Sequence, residues 1–494
     1  MKKTVLSSLI LCALLLAGCG ESASQPEPQA TEAPETVLDA AETEEDVITP
    51  EKIIRERYQD SDSGGKTITI LSPSPGEHFY SVISGDTNEI WYEAENGEVL
   101  NDAVYRRNVL TEELLNVKIS PLFGGSDDKL KTTIKKTVLA GASDFDAAIG
   151  RMDFFSDAMT GGQLLNIYDI GTIDVSDSWW DHNIVDSFTL FGDRLYWLAG
   201  DFNIFDDFAV ESLYFNKKIC NDYSLEYPYE AAVSGAWTID VMNGYCKTVV
   251  KDLNGDGVIK PEDDVVGHIE NKDMIKHWIY AMGEKSVDIS TEGELVVNTL
   301  SDRQIAAVET LFHYMVEEEM TYGNRDNAIF KIDHALFMGN MLGGINGLRE
   351  MESDFGLLPM PKMDESQERY GEYVSNGWTT AIVVPIISSD AALTGTVIDA
   401  MSAFSTDTVR KALYDITLNV KLVRDEESVA ALDIILDSKS YDWAVDFSWG
   451  SSFQAAYNAV YDRRQNNYVS AATKAYDKQV KTINNLLEKI SALG

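Results

Sequence analysis

Residues 252–263 read DLNGDGVIKPED. Asp252, Asn254 and Asp256 stand two apart, Gly257 follows, and acids return at Glu262 and Asp263. A twelve-residue calcium loop takes side-chain oxygens from positions 1, 3 and 5, a backbone carbonyl from position 7 and a carboxylate from position 12, with glycine at 6 for the turn. On that spacing Asp252, Asn254, Asp256 and Asp263 supply side-chain oxygens and Val258 the carbonyl. The departure is Asp where Glu usually closes the loop. The bland alternative is a metal-free turn, which Asn-Gly and Asp-Gly favour by themselves. A structural calcium ion is the expectation.

Other chemistry is thinly supported. There is no H-E-x-x-H, no G-x-S-x-G and no G-x-x-x-x-G-K-[ST]. The six histidines (78, 182, 268, 277, 313, 334) are not spaced as a zinc pair. Paired carboxylates for glycoside hydrolysis stay open, because 81 acidic residues offer many pairs. The formal charge of −41 repels nucleic acid and anionic lipid head groups. Nine Trp and 22 Tyr supply aromatic surface for a binding site.

The N-terminus places the chain. Lys2 and Lys3 precede an apolar run from Val5 to Ala17, too short for a membrane span and ending in Leu16-Ala17-Gly18-Cys19. That ending resembles the bacterial lipobox, with residues 1–18 as signal peptide and Cys19 as the lipidated first residue. The segment 19–65 is rich in Glu, Pro, Ala, Ser and Thr and reads as a disordered acidic tether. Within it Thr49 and Pro50 are placed to start a short helix as N-cap and N1. Cys220 and Cys246 remain, either as a disulfide or as two buried thiols.

The elements that must position a site follow from periodicity. Lys66–Leu71 has strand composition. A helix over 101–116 carries Val104, Leu110, Leu114 and Leu115 on one side. VKISPLF is a strand, and Leu130, Ile134 and Val138 mark a helix stopped by Gly141. DFDAAIG is a third strand. Strands alternating with amphipathic helices predict a parallel sheet whose ligand edge lies at the strand carboxyl ends. GDRLYWLAGD and ESLYFNKKIC read as strands entering a second body. Helices are predicted from Thr238 as N-cap, from Ser301 with Gln304 as a capping box, over 390–405 and 427–438, and from about 471 to 492.

Leu213-Tyr214-Phe215-Asn216-Lys217, then Trp237-Thr238, the Asp/Gly loop at 252–263 and DFGLLPMPKMDE before TTAIVVPIISSD resemble the extracellular solute-binding proteins of bacterial ABC importers. The resemblance covers most of residues 66–494. It implies a type II periplasmic-binding-protein-like fold, two α/β lobes with ligand between them: 66–206 plus 360–412, and 207–359 plus 413–494. It implies an oligosaccharide-binding lipoprotein on the extracellular face of a Gram-positive-type membrane, monomeric, serving ABC permease subunits. It also implies that the calcium loop braces the second lobe away from ligand. No ligand motif is carried over. Sugar receptors stack aromatic rings on the pyranose and bond its hydroxyls with polar side chains. By position, Arg151 and Asp153 (a strand's carboxyl end), Asn203, Asp206 and Asp207 (near the first crossing), and Trp378 and Trp449 (Gly- or Ser-flanked loops) are the ligand candidates. Trp179, Trp180 and Trp237 read as packing residues. The rival readings are a surface glycosidase and a non-transporting sensor or adhesin.

Overall fold

The computed structural model describes residues 48–78, 87–271, 275–323, 325–375, 377–419, 426–447, 457 and 465–493. The signal peptide, Cys19 and Trp449 lie outside the described residues.

The first lobe is built on four strands in the order β10-β3-β1-β2: Lys66–Ser72 (β1), Val117–Phe123 (β2), Ala147–Arg151 (β3) and Thr380–Val383 (β10). β1, β2 and β3 run parallel, and β10 returns antiparallel to β3 with Thr380 opposite Arg151. The carboxyl ends of three strands and the start of the fourth therefore share one edge. The helix Asp127–Ala140 stops at Gly141 as the sequence predicts, with φ 63° in the left-handed region.

The second lobe carries five strands in the order β8-β4-β7-β5-β6: Glu211–Asn216 (β4), Val266–Ile269 (β5), Thr321–Tyr322 (β6), Ala335–Met341 (β7) and Phe355–Leu358 (β8). β4 is antiparallel to β7, which places Glu211 opposite Met341. β5 runs parallel to β7. Trp237 is buried behind this sheet and donates to the Pro359 carbonyl, while Thr238 caps the helix Ile239–Val249 through the Val241 amide. Cys220 and Cys246 are free and buried.

Four expectations need correction. GDRLYWLAGD does not enter the second lobe; Leu198 bridges to Ile382 of the first sheet, so the segment covers that sheet's outer strand. The return crossing is not at 360. Lys362 still bridges Thr238, and Glu372–Tyr373 (β9) pairs with Lys439–Ser440 (β11), so the chain crosses at Val374. The helix Val99–Leu115 buries Val104, Arg107, Asn108, Thr111 and Leu115, whereas Leu110 and Leu114 are only half-buried. The interior claims a polar stripe because Arg107 donates to the Glu89 and Ile90 carbonyls, satisfying a buried charge. Finally, residues 48–65 belong to the folded body, not to a tether. Pro50–Arg57 forms a helix capped by Thr49, with Ile54 fully buried.

That helix is tied down by charge. Arg57 reaches Asp177 at 2.7 Å and the fully buried Asp399 at 2.9 Å, and Asp399 also accepts from Tyr58 and the Trp179 indole. Removing one partner of a buried pair leaves the other charge uncompensated, though two donors to Asp399 remain. Arg57→Ala should therefore cost roughly 2–3 kcal/mol of unfolding free energy. Chemical denaturation of the full chain reads this directly, and a change within error of zero would show the helix to be an ornament on the first lobe.

Candidate functional site

The two lobes are joined by two neighbouring crossings. Val210 in the first bridges Val374 in the second, and the Ser375 amide donates to the Ala209 carbonyl. One buried carboxylate holds both. Glu89 Oε1 accepts from the Ile204 and Phe205 amides of the first crossing (2.6 and 3.1 Å) and from Thr380 Oγ1 beside the second (2.8 Å). Asn203 is spent on the same brace: its Nδ2 donates to the Thr380 carbonyl and hydroxyl, and its Oδ1 accepts from the Gly200 amide. It is buried and positions the hinge, so it does not face a ligand.

The first crossing contains a single helical turn, Phe205–Phe208. Its faces diverge. Phe205 stacks on His78 at 4.4 Å, and Phe208 lines a groove of about 610 Å³. That groove runs from Thr87, Tyr92 and the start of the helix Val99–Leu115 in the first lobe to Asn346 and Arg349, which follow β7 in the second. A ligand there can touch both lobes and the hinge at once. Aromatic and amide side chains line it together (Tyr92, Phe208, Asn96, Asn101, Asn346), a combination suited to a polar ligand with apolar faces.

The strand edges of the two sheets carry further polar and aromatic groups, outside the lining of the groove. On the first lobe Arg151 clasps Asp153 through two bonds (3.1 and 2.8 Å) and lies 4.3 Å over the Phe154 ring. Burial raises the Asp153 carboxyl above its ordinary range although Arg151 opposes it. Trp378 is half-buried next to this edge, two residues before Thr380, which pairs with Arg151. Phe123 at the end of β2 is 39% exposed on the same edge. Burial, with Arg151 nearby, lowers His78 to about 4, so the ring is neutral at neutral pH.

On the second lobe Arg325 is held by Glu211 and Glu270 at 3.4 and 3.3 Å and donates to Asn340 at 3.0 Å. His277 reaches Glu211 at 3.2 Å. Burial pushes Glu270 up, whereas Arg325 and His277 overcome burial at Glu211 and hold it down. This network sits at the β4 start and the β5 and β7 ends, the corresponding edge of the second sheet.

Arg151, Asp153 and Trp378 are thus brought together on one strand edge of the first sheet. Asp206 and Asp207 are not with them. Their carboxylates turn to the other side of the crossing, where Lys439 Nζ meets them at 2.8 and 2.9 Å. Tyr92, Phe208, Phe123 and the Arg325 network escape sequence reasoning. Only Glu270-Asn271, polar residues directly after a strand, give a signal of the kind that led to Arg151.

The loop at 252–264 closes on itself. Asp252 accepts from the Gly255 and Gly257 amides, Asn254 from Asp256 and Asp256 from Val258. The residue that closes it is Asp264, which accepts from the Leu253 and Lys260 amides, while Asp263 is exposed. These backbone bonds hold the Asp264 carboxyl below its ordinary range. Among the described residues no three or more His, Cys, Asp or Glu are gathered so as to hold a metal ion.

No protein-family model matches the chain, and no curated protein sequence matches it. Solved structures do. A cyclo/maltodextrin-binding protein in complex with maltotetraose is similar at TM-score 0.56 and 14% identity, over 85% of this chain and 99% of that one. An ABC substrate-binding protein of Listeria monocytogenes in complex with cycloalternan is similar at 0.51 and 14%, over 85% and 99%. UgpB of Mycobacterium tuberculosis in complex with glycerophosphocholine is similar at 0.51 and 15%, over 86% and 99%. The likeness establishes the fold: two α/β lobes of the periplasmic-binding-protein type.

Burial raises Glu89 from its ordinary 4.5 to about 7, although four groups that favour the anion surround it. The unfolded chain loses this proton near pH 4.5 and the folded chain holds it to about 7, so the group's contribution is full below pH 4.5 and is lost as pH rises through 7. Glu89→Gln keeps an acceptor for the crossings and removes the titration. Compared with wild type, it should gain on the order of 3 kcal/mol at pH 8 relative to pH 5. Urea unfolding at the two pH values measures this, and an unchanged difference would mean that Glu89 is already ionised in the hinge.

Proposed function

We propose that the chain is the solute-binding component of an ABC importer, lipid-anchored through Cys19, which holds an oligosaccharide between its lobes without altering it and passes it to membrane permeases. The observation that carries the reading is the groove at the hinge, lined by both lobes and both aromatic and amide side chains. The fold it shares with the maltodextrin and cycloalternan complexes supports the ligand class. The anchor rests on the lipobox-like Leu16-Ala17-Gly18-Cys19; among the described residues no helix is long and apolar enough to cross a membrane.

Calorimetry with a panel of linear and cyclic oligosaccharides should show one saturable site, with the sugar recovered unchanged after prolonged incubation. Trp378→Ala should weaken that binding about 5- to 150-fold, the effect of losing about 1–3 kcal/mol of aromatic burial. Hydrolysed sugar would overturn the reading in favour of a glycosidase. Unchanged affinity in the variant would take Trp378 out of the site while leaving the groove.

For the loop at 252–264 we propose a stabilising role with calcium held by Asp252, Asn254, Asp256, the Val258 carbonyl and Asp263. The spacing supports it, and so does the exposure of these carboxylates. Binding requires Asp252, Asn254 and Asp256 to share oxygens that already accept loop amides, so affinity should be modest. With a dissociation constant near 10 μM and calcium near 1 mM, linkage gives about 2.7 kcal/mol. Melting curves with calcium and with chelator should then differ by a few degrees, and Asp252→Ala should abolish the difference. Identical wild-type curves would leave a metal-free turn closed by Asp264.

A further inference from the structure

A rear cavity of about 460 Å³ lies on the acid side of the hinge turn, lined by Asp181, Asp206, Asp207 and Lys439 among others. There the lobes meet a third time, through the segment 439–447. This segment is fixed to the second lobe at its start. β11 pairs with β9. Asp442 accepts from the Tyr280 hydroxyl at 3.1 Å and from the Ser286 and Val287 amides at 2.6 and 3.3 Å. Tyr280 stands on the helix Ile275–Ala281, whose His277 holds Glu211 of β4.

The alternate side chains are seated on the first lobe, as an extended chain allows. Lys439 pairs with Asp181 at 2.7 Å, and the Tyr441 hydroxyl donates to the same carboxylate at 3.1 Å. The Trp443 indole donates to the Ser187 carbonyl at 2.7 Å. Its ring lies 5.1 Å from Phe188 and 6.2 Å from Trp197. Ser187 and Phe188 end the helix His182–Phe188, which Asp181 caps. Trp197 precedes Leu198, the residue that bridges to β10 of the first sheet.

This contact is dry and continuous with the hinge. Phe188, Trp197 and Trp443 are each 2% exposed or less, so parting the lobes here would bring three large rings into water. Lys439 also meets Asp206 and Asp207 of the first crossing. From Lys439 to Trp443 an extended chain spans up to about 13 Å. The crossings bridge each other at Val210 and Val374 and alone would act as one narrow joint.

We propose that the Trp443 contact is a third, non-covalent pivot of the hinge, about which the lobes turn without separating. Crossings and pivot together define a line, and rotation about that line is the motion left to the lobes. The two sides of the groove are thereby kept in register before a ligand arrives, which lowers the ordering cost of capture. The inference rests on the two-lobe hinge and not on the identity of the ligand.

The test needs no ligand. Spin labels on Lys136→Cys of the first lobe and Thr248→Cys of the second, both exposed positions, report the lobe-to-lobe distance by pulsed electron resonance. The full chain is used with Cys12→Ser and Cys19→Ser; Cys220 and Cys246 are buried and take no label. This parent should give one narrow distance. Trp443→Leu and, separately, Phe188→Leu should keep a cooperative melt and widen the distribution by more than about 2 Å, the scale of a domain rearrangement. Trp237→Phe, in the second-lobe core, should lower stability without widening it. Should Trp443→Leu fail to fold, Phe188→Leu carries the test. A broad distribution in the parent, an unchanged one in a folded pivot variant, or equal widening in Trp237→Phe would overturn the proposal.

Discussion

The structure turns on the buried carboxylate of Glu89. Its Oε1 gathers two amides of one crossing and a hydroxyl beside the other, so both crossings between the lobes are referred to a single atom. Arg107, fully buried, supports the same loop from below through the Glu89 and Ile90 carbonyls. A buried acid is costly unless its bonds are made. Here two of the three are made to backbone amides, which fixes the geometry of the hinge rather than merely its existence.

From that brace the two faces of Phe205–Phe208 follow. Phenylalanines at i and i+3 share one side of the turn, and the aspartates between them take the other. The ring side meets the groove and His78. The acid side meets Lys439, brought there by β11 pairing with β9, the strand that precedes the return crossing. Groove and rear cavity are therefore separated by one turn of helix.

What the sequence makes legible is local. Thr49, Thr238 and Ser301 cap the helices assigned to them, because a cap needs only residues within three positions. The capping box at Ser301 is half-formed: the Gln304 side chain turns inward to Tyr457 instead of back to the cap. The strand alternation also gives the carboxyl-end edge of the first sheet, where Arg151 and Asp153 stand. What is hidden depends on partners remote in sequence. Asp207 meets a lysine 232 residues away, and Asn203 a threonine 177 away, so proximity to the hinge was readable and the direction of each side chain was not. The loop at 252 shows a finer limit. Its spacing nominates Asp263, but the turn is closed by Asp264, one residue on, because that carboxylate reaches two amides.

The central claim is that one ligand, touching both lobes, draws them together about the hinge. Small-angle scattering with and without a bound oligosaccharide tests it most directly. The account predicts a smaller radius of gyration on saturation, reversed on removing the sugar. Saturable binding with an unchanged scattering curve would contradict it, placing the ligand on one lobe and leaving the hinge without a role in capture.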